Sequence, residues 1–309
     1  MTRLLTNVLL AVIFTLSSIL AFTQDDMDAI PQARPHPMPT SVTVEGDIII
    51  ERFFPSIKQG TVGLVRLIGP DVVQAQLIFL NNQYSFFQFS DNEWYLFLVA
   101  NMDVQPRDYE VAISIERQSN NLDISQIVKV ESADYITEEF DMLGDLAELV
   151  DPDLEKAEYT KIDGIIENIS SEALWDATGF GLPLDSQVAS SFGTYRLLNQ
   201  SISTRHTGWD QQAPMGTAIK TVGTGRVIFA GELDIRGNYV LVDHGYGIYS
   251  GYAHLSQIHV TSGQSITKGQ IVGMSGNTGR SGGAHLHWEM LVNGEWVDSR
   301  MFVKMWLPS

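Results

Sequence analysis

From Ser41 to about Tyr135 the apolar residues come in short runs divided by turn formers. Val42 and Val44 alternate with Thr43, and Ile48–Ile50 is apolar. Thr61–Ile68 ends at Gly69-Pro70, Gln74–Leu80 at Asn81-Asn82, and Tyr84–Phe89 at Ser90-Asp91-Asn92. Trp94–Val99, Tyr109–Ile115 and Ile124–Val130 follow. Runs of this length and spacing predict about eight short strands and an immunoglobulin-like β-sandwich over 41–137. The aromatics Phe86, Phe87, Phe89, Trp94, Tyr95 and Phe97 read as its core. From Glu138 to about Ile169 the period changes. Met142, Leu146, Leu149 and Val150, then Ile162, Ile165, Ile166 and Ile169, sit at helical spacing. Pro152 divides them, which predicts one or two short helices in a linker over 138–182.

The remainder, 183–309, returns to β periodicity. Strands are predicted at Ala218–Val222, Arg226–Ala230, Tyr239–Asp243, Ile248–Ala253, Gln270–Met274 and His285–Leu291. Dense glycine between them suits tight turns of an antiparallel sheet. The chain thus reads as mainly β, with a helical linker between two β domains. Lys268-Gly269 resembles the turn of a carrier barrel, but it lacks the flanking residues of a modified lysine and reads as a structural turn.

Charge and composition change this picture in three places. Residues 1–23 carry one charge, Arg3, ahead of an apolar run from Val8 to Phe22, as a secretory signal peptide does. An uncleaved anchor helix is the alternative. Residues 24–40 hold Pro31, Pro35, Pro37 and Pro39, the composition of an extended linker. The net charge of −18 is uneven: residues 24–176 hold 29 acidic against 9 basic residues, and residues 177–309 hold 8 against 9. The acidic run through the helical linker reads as a solvated face. No basic patch marks a nucleic-acid surface. The chain has no cysteine, so a thiolate metal site, a cysteine nucleophile and a disulfide are all excluded.

Candidate chemistry collects near the C-terminus. His206 and Asp210 lie four apart, with Gly208 between them and Pro214 soon after, which argues for an irregular loop or strand end. His285 and His287 lie two apart in a predicted strand, so they share a face while Leu286 packs behind. His254 stands between the two stretches. A catalytic zinc commonly takes three protein ligands and leaves a fourth position open. His206, Asp210 and one of His285 and His287 make that number. His254 and the other histidine of the pair remain for proton transfer and transition-state stabilisation. Of the other histidines, His36 and His259 read as polar surface positions and His244 as a turn residue that supports the site's edge.

In order and spacing, His206…Asp210, Tyr252-Ala253-His254-Leu255 and His285-Leu286-His287 resemble the lysostaphin/LytM-type zinc metallopeptidases, peptidase family M23. Ser190-Ser191-Phe192-Gly193, Gly237-Asn238-Tyr239 and Asp243-His244-Gly245 are weaker matches. The resemblance covers about the last third of the chain. It implies that His206, Asp210 and His287 bind one Zn2+ and that His254 and His285 are catalytic. It further implies an endopeptidase that cuts peptidoglycan stem peptides or cross-bridges, in a secreted or cell-envelope protein with no membrane span once the signal is removed. A partner protein on the N-terminal β domain is a further expectation. The rival reading is a catalytically silent wall-binding or hydrolase-activating protein whose zinc is structural.

Overall fold

The structure, a computed structural model, describes residues 35–168, 170–200 and 202–308. The expected signal segment 1–23, residues 24–34 of the linker and Ile169 of the helical pattern lie outside the described residues. Among those described, no helix is long and apolar enough to cross a membrane.

Residues 41–131 form two five-stranded sheets. The first runs in the order β1 (Ser41–Glu45), β2 (Ile48–Arg52), β4 (Thr61–Ile68), β8 (Glu93–Ala100), β7 (Phe87–Ser90). The second runs β3 (Ile57–Lys58), β10 (Leu122–Glu131), β9 (Asp108–Arg117), β5 (Val72–Phe79), β6 (Asn82–Ser85). The stretch Tyr84–Phe89, expected as one strand, is two, and they belong to different sheets. Phe86 lies between them, buried, with its N–H bonded to the Ala75 carbonyl. That anchor lets the chain step from one sheet to the other. Phe89 is the expected core aromatic that stays exposed, at 36%.

Two strands show why the sheets lie where they do. On β9, Val111, Ile113 and Ile115 are buried and alternate with exposed residues, so this strand has one apolar face. On β8 every residue from Trp94 to Ala100 is buried. A strand apolar throughout must be covered on both faces. Trp94, Leu96 and Leu98 meet the second sheet in one core. Tyr95, Phe97 and Val99 face the other way and join Trp175, Phe302 and Leu307 in a core shared with the C-terminal region.

The linker departs from its predicted form. Glu138 to Phe140, expected to be helical, belong to strand β11 (Thr137–Phe140), parallel to β13 (Tyr195–Leu198), which pairs in turn with β14 (Ile202–Arg205). A partner strand overrides the local period here. The helices that follow are α1 (Asp145–Glu148) and α2 (Pro152–Ile166). The Asp151 side chain caps α2 through the Asp153 N–H at 2.8 Å, and Pro152 occupies its first turn. The acidic stretch is not solvated throughout. Glu155 and Glu158 are buried, on the same stripe of α2 as Ile162 and Ile166.

The C-terminal sheet runs β12 (Val188–Ser190), β15 (Gly208–Gln212), β22 (His285–Val292), β19 (Ile248–Ile258), β18 (Gly237–Gly245), β17 (Gly225–Leu233), β20 (Ser265–Ile266). Strands β16 (Ala218–Lys220), β21 (Ile271–Ser275) and β23 (Glu295–Val297) attach beside it, and α3 (Ser299–Phe302) follows. Its centre is covered on both sides. Leu286, Trp288, Met290 and Val292 of β22 face the shared core. Leu291, with Tyr239 and Leu241, faces Ile162 and Ile166 of α2. Lys268 sits at a turn, its Nζ donating to the Thr178 carbonyl at 3.0 Å, as a structural lysine would. His244 bonds Thr224 and Ser250 within the sheet and reaches none of the candidate site residues.

Because one core joins the first sheet to the C-terminal sheet, both should unfold together. Phe97→Ala should cost about 3–5 kcal/mol and lower a single urea midpoint seen identically by fluorescence and far-UV circular dichroism. Two separated transitions in the wild-type chain, or a cost below about 1 kcal/mol, would contradict the shared core.

Candidate metal centre

The sheet register brings the candidate residues together. β15 pairs with β22 so that Asp210 lies opposite His287 and Gln212 opposite His285. β19 flanks β22 on its other side, with Ala253 opposite His287. Asp210 is thus inside a strand, and His206 sits just ahead of it, between β14 and β15. Gly208 makes the close approach possible. A Cβ there would lie 2.5 Å from the Trp288 carbonyl and 2.9 Å from the His287 ring. His254 reaches the site by another device. Between β18 and β19 the register slips, with Asn238 opposite Leu255 but Val240 opposite Tyr252. That places one extra residue on β19, a β-bulge, and His254 has φ +59°. A bulge re-aims a side chain that plain alternation would send elsewhere.

Three donor atoms converge. His206 Nε2 lies 3.0 Å from Asp210 Oδ1, His287 Nδ1 lies 2.9 Å from the same oxygen, and the two nitrogens are 3.1 Å apart. The outer nitrogens decide the tautomers. His206 Nδ1 faces the Ser191 carbonyl at 2.6 Å, and His287 Nε2 faces a Glu289 carboxylate oxygen at 3.1 Å. Each partner is an acceptor, so each outer nitrogen carries the proton and the inner one presents a lone pair. Two lone pairs and a carboxylate oxygen then point at one another, an arrangement that needs a cation between them. All three residues are buried. The nitrogen–oxygen donor set, with each imidazole oriented from behind by an acceptor, fits Zn2+.

The electrostatics express the same demand. Burial pushes His206 down to about 4, which keeps it neutral and able to ligate. Burial opposes ionisation of Asp210, yet the facing His206 and the other imidazoles hold its carboxyl well below the usual range. Burial likewise opposes a charge on His287, but Asp210 on one side and Glu289 on the other raise it. The second Asp210 oxygen is held by Arg196 Nη2 at 2.5 Å, which leaves Oδ1 to face the histidines.

His254 and His285 stand beside this group. Their ring centroids are 4.8 Å apart, and His254 is 5.9 Å from His287. His254 Nδ1 donates to the Thr278 carbonyl at 2.8 Å, and His285 Nδ1 to the Gly283 carbonyl at 2.8 Å. In both the Nε2 is left available, and that of His285 is 3.5 Å from Asp210 Oδ1. Burial, then the neighbouring His285 and His287, hold His254 well below its ordinary value, so it is a neutral base. Thr278 is fixed by a tight passage of two loops: a Cβ on Gly279, at φ +70°, would lie 2.4 Å from the Gly237 nitrogen. A cleft of about 160 Å³ opens over His254, His285 and Asp210, walled by Phe140, Met142 and Arg280. A larger cavity of about 720 Å³, beside Tyr84, Phe87 and Tyr246, holds none of the five residues.

Four residues of the site were not singled out from the sequence: Arg196, Arg236, Glu289 and Glu158. One signal was there for Glu289, because it lies two after His287 in a strand and therefore on the same face. Glu158 lies on the helical stripe of Ile162 and Ile166, which signals burial but not a partner, and Arg236, on a turn, carries no comparable signal.

Comparison with known proteins agrees with the geometry. Residues 204–299 match peptidase family M23. A peptidoglycan DD-endopeptidase, ShyA, of Vibrio cholerae is 40% identical over 122 residues, 38% of this chain and 28% of that protein. A DD-carboxypeptidase/endopeptidase, Mpg, of Neisseria meningitidis is 38% identical over 114 residues, 37% of this chain and 26% of that protein. The chain therefore spans little more than a quarter of the length of these curated relatives. A crystal structure described as a peptidase M23 from Pseudomonas aeruginosa superposes with a TM-score of 0.55 at 23% identity, covering 79% of this chain and 94% of that one. That likeness shows that the shared fold extends well beyond the matched residues, and residues 204–299 of this chain are a peptidase family M23 domain.

Proposed function

We infer that the chain is a zinc-dependent endopeptidase that hydrolyses peptide cross-links of bacterial peptidoglycan, in the periplasm or outside the cell. The observation that carries this is the meeting of His206 Nε2, Asp210 Oδ1 and His287 Nδ1 within about 3 Å of one another beside His254 and His285, whose Nδ1 atoms are held by backbone carbonyls. The match to peptidoglycan DD-endopeptidases supports the substrate class.

His206, Asp210 and His287 would hold the ion. A zinc ion bound there supplies Lewis acidity toward a scissile carbonyl and lowers the pKa of water. The remaining work falls to side chains. Arg196 keeps Asp210 Oδ2 occupied, so Oδ1 stays aimed at the histidines. Among the described residues lining the cleft over His254 and His285, Asp210 is the one carboxylate, while Glu138 and Glu139 line the space that adjoins it at Asp210 and His285. His254 and His285 are then the groups for proton transfer and oxyanion stabilisation. The Thr278 and Gly283 carbonyls fix each imidazole as an Nδ1–H tautomer, so Nε2 can take a proton and, once protonated, donate to a developing oxyanion or to the leaving amine. The narrow cleft beside Phe140 and Met142 suits an extended peptide more than a bulky glycan.

The full chain with stoichiometric zinc should clear a suspension of purified sacculi, releasing new amine termini, and EDTA should stop it. Zinc bound without any new amines would favour the silent wall-binding reading. The termini released would identify the bond.

Ligand and proton-transfer roles separate under mutation. His287→Ala should lose most of its zinc together with its activity. His285→Ala and His254→Ala should keep near-stoichiometric zinc while turnover falls about 10²–10⁴-fold. Metal analysis of the three purified variants decides; zinc retained in His287→Ala but lost in His285→Ala would reverse the roles.

Asp210→Asn keeps the shape of the ligand but removes its charge and leaves Arg196, still bonded to Ser190 Oγ, without its ion-pair partner. Zinc content and amine release should fall in parallel. An Asn variant with full zinc and full turnover would remove Asp210 from the ligand set.

A further inference from the structure

One face of β22, read from the core outward, presents Leu291, Glu289, His287 and His285. Helix α2 lies over the inner part of that face with a matching stripe. Ile162 and Ile166 share a core with Leu291. Glu158 comes next and Glu155 after it, and Glu155 holds Arg280 at 3.2 Å at the edge of the cleft. Glu158 and Glu289 do not touch each other; Arg236 stands between them. Its Nη1 donates to Glu158 Oε1 at 2.8 Å, and its Nε and Nη2 donate to the two oxygens of Glu289 at 2.8 and 2.9 Å. Glu158 also accepts from the backbone N–H of Ile235 at 2.7 Å. Glu289 also accepts from Tyr239 at 2.6 Å, from Thr207 at 2.9 Å and from His287 Nε2 at 3.1 Å. Arg236, Glu158 and Glu289 are 5%, 4% and 0% exposed.

Count the charge in this dry chain. Arg236 and Glu289 alone would form a neutral pair, and Glu289 would then hold the His287 N–H as a largely neutralised acceptor. Glu158 divides the guanidinium between two carboxylates and leaves the group one negative charge in excess. In a low-dielectric interior that excess is felt strongly at the next hydrogen bond. A more negative acceptor on Nε2–H makes the opposite nitrogen, Nδ1, a better donor to a cation.

We propose that Glu158 is a positioning residue for the metal centre: from a helix outside the matched domain it sets, through Arg236 and Glu289, the orientation and donor strength of His287. This rests on the reading of His287 as a ligand. It places a requirement for metal binding in the linker, so the peptidase fold by itself would hold the ion less tightly.

The test uses the full chain. Zinc affinity is measured by competition with a chromophoric chelator, and the thermal midpoint of the metal-free form is measured separately. Glu158→Gln keeps the shape and removes the charge; its zinc affinity should fall about 10–100-fold. Ile162→Ala loosens the same helix without touching the charge chain; it should lower the metal-free midpoint yet leave zinc affinity within twofold of wild type. A Glu158→Gln affinity within twofold of wild type overturns the proposal, because Glu158 then only completes the burial of Arg236. An equal loss in Ile162→Ala also overturns it, because helix docking would then be the cause. Should Glu158→Gln not fold, Glu158→Met, which removes the charge at similar volume, takes its place with the same thresholds. A wild-type chain that binds no zinc removes the ligand reading and the proposal together, whereas zinc bound equally by wild type and variant removes the proposal alone.

Discussion

The interior of the C-terminal sheet has to bury charge, and most of the site's architecture answers to that. Asp210, Glu289, Glu158 and Arg236 are all taken out of water. A buried carboxylate is tolerated only where donors or cations surround it. Each here has them for at least one oxygen: Arg196 for Asp210 Oδ2, Arg236 with Tyr239 and Thr207 for Glu289, Arg236 and a backbone N–H for Glu158. What is left over at the centre is a set of acceptor atoms with no donor of their own. A deficit of positive charge, held in place by a stiff sheet, is what a metalloenzyme needs before the ion arrives.

The same constraint explains the shape around the site. A strand face that changes from Leu291 to Glu289 to His287 and His285 must be covered differently along its length. Helix α2 does so with isoleucines at one end and glutamates toward the other. Its acidic residues look in sequence like part of a solvated run, because nine acidic residues between Glu138 and Glu158 meet only Lys156 among them. Local composition cannot tell that Glu158 will meet Arg236, 78 residues on, and Glu155 will meet Arg280, 125 residues on. Helical spacing offered half of the answer: Ile162 and Ile166 predict a buried stripe, and Glu158 lies one turn before Ile162 on that stripe.

The motif residues were far more legible than their surroundings. His206, Asp210, His254, His285 and His287 stand in an order and spacing that resembles one family, and the strand period correctly puts His285 and His287 on one face. The coarse fold was also readable, since alternation and turn residues mark most strands. Three features were not. The break at Phe86 depends on which sheet each half joins. Strand β11 depends on a partner, β13, more than fifty residues on. The bulge that turns His254 into the site depends on register against β18. All three are tertiary effects that overrule local pattern.

One contrast did lie in the sequence and carries the interdomain geometry. Tyr109 to Ile115 alternates, whereas Trp94 to Ala100 is apolar without interruption. The first is a strand with one wet face, and the second cannot have one. In an isolated two-sheet domain the outward residues Tyr95, Phe97 and Val99 would be exposed, which a contiguous apolar patch of that size disfavours. Their burial against Trp175 and Phe302 therefore follows from the strand's own composition. It follows in turn that the N-terminal sheets do not swing freely from the peptidase domain. The linker between them is pinned at both ends, by β11 against β13 and by α2 against the inner part of the β22 face that also carries His285 and His287. Phe140 and Met142, which wall the cleft, come from that pinned linker. The cleft over His254 and His285 is consequently built by two parts of the chain, and only one of them carries the ordered histidine and aspartate motifs.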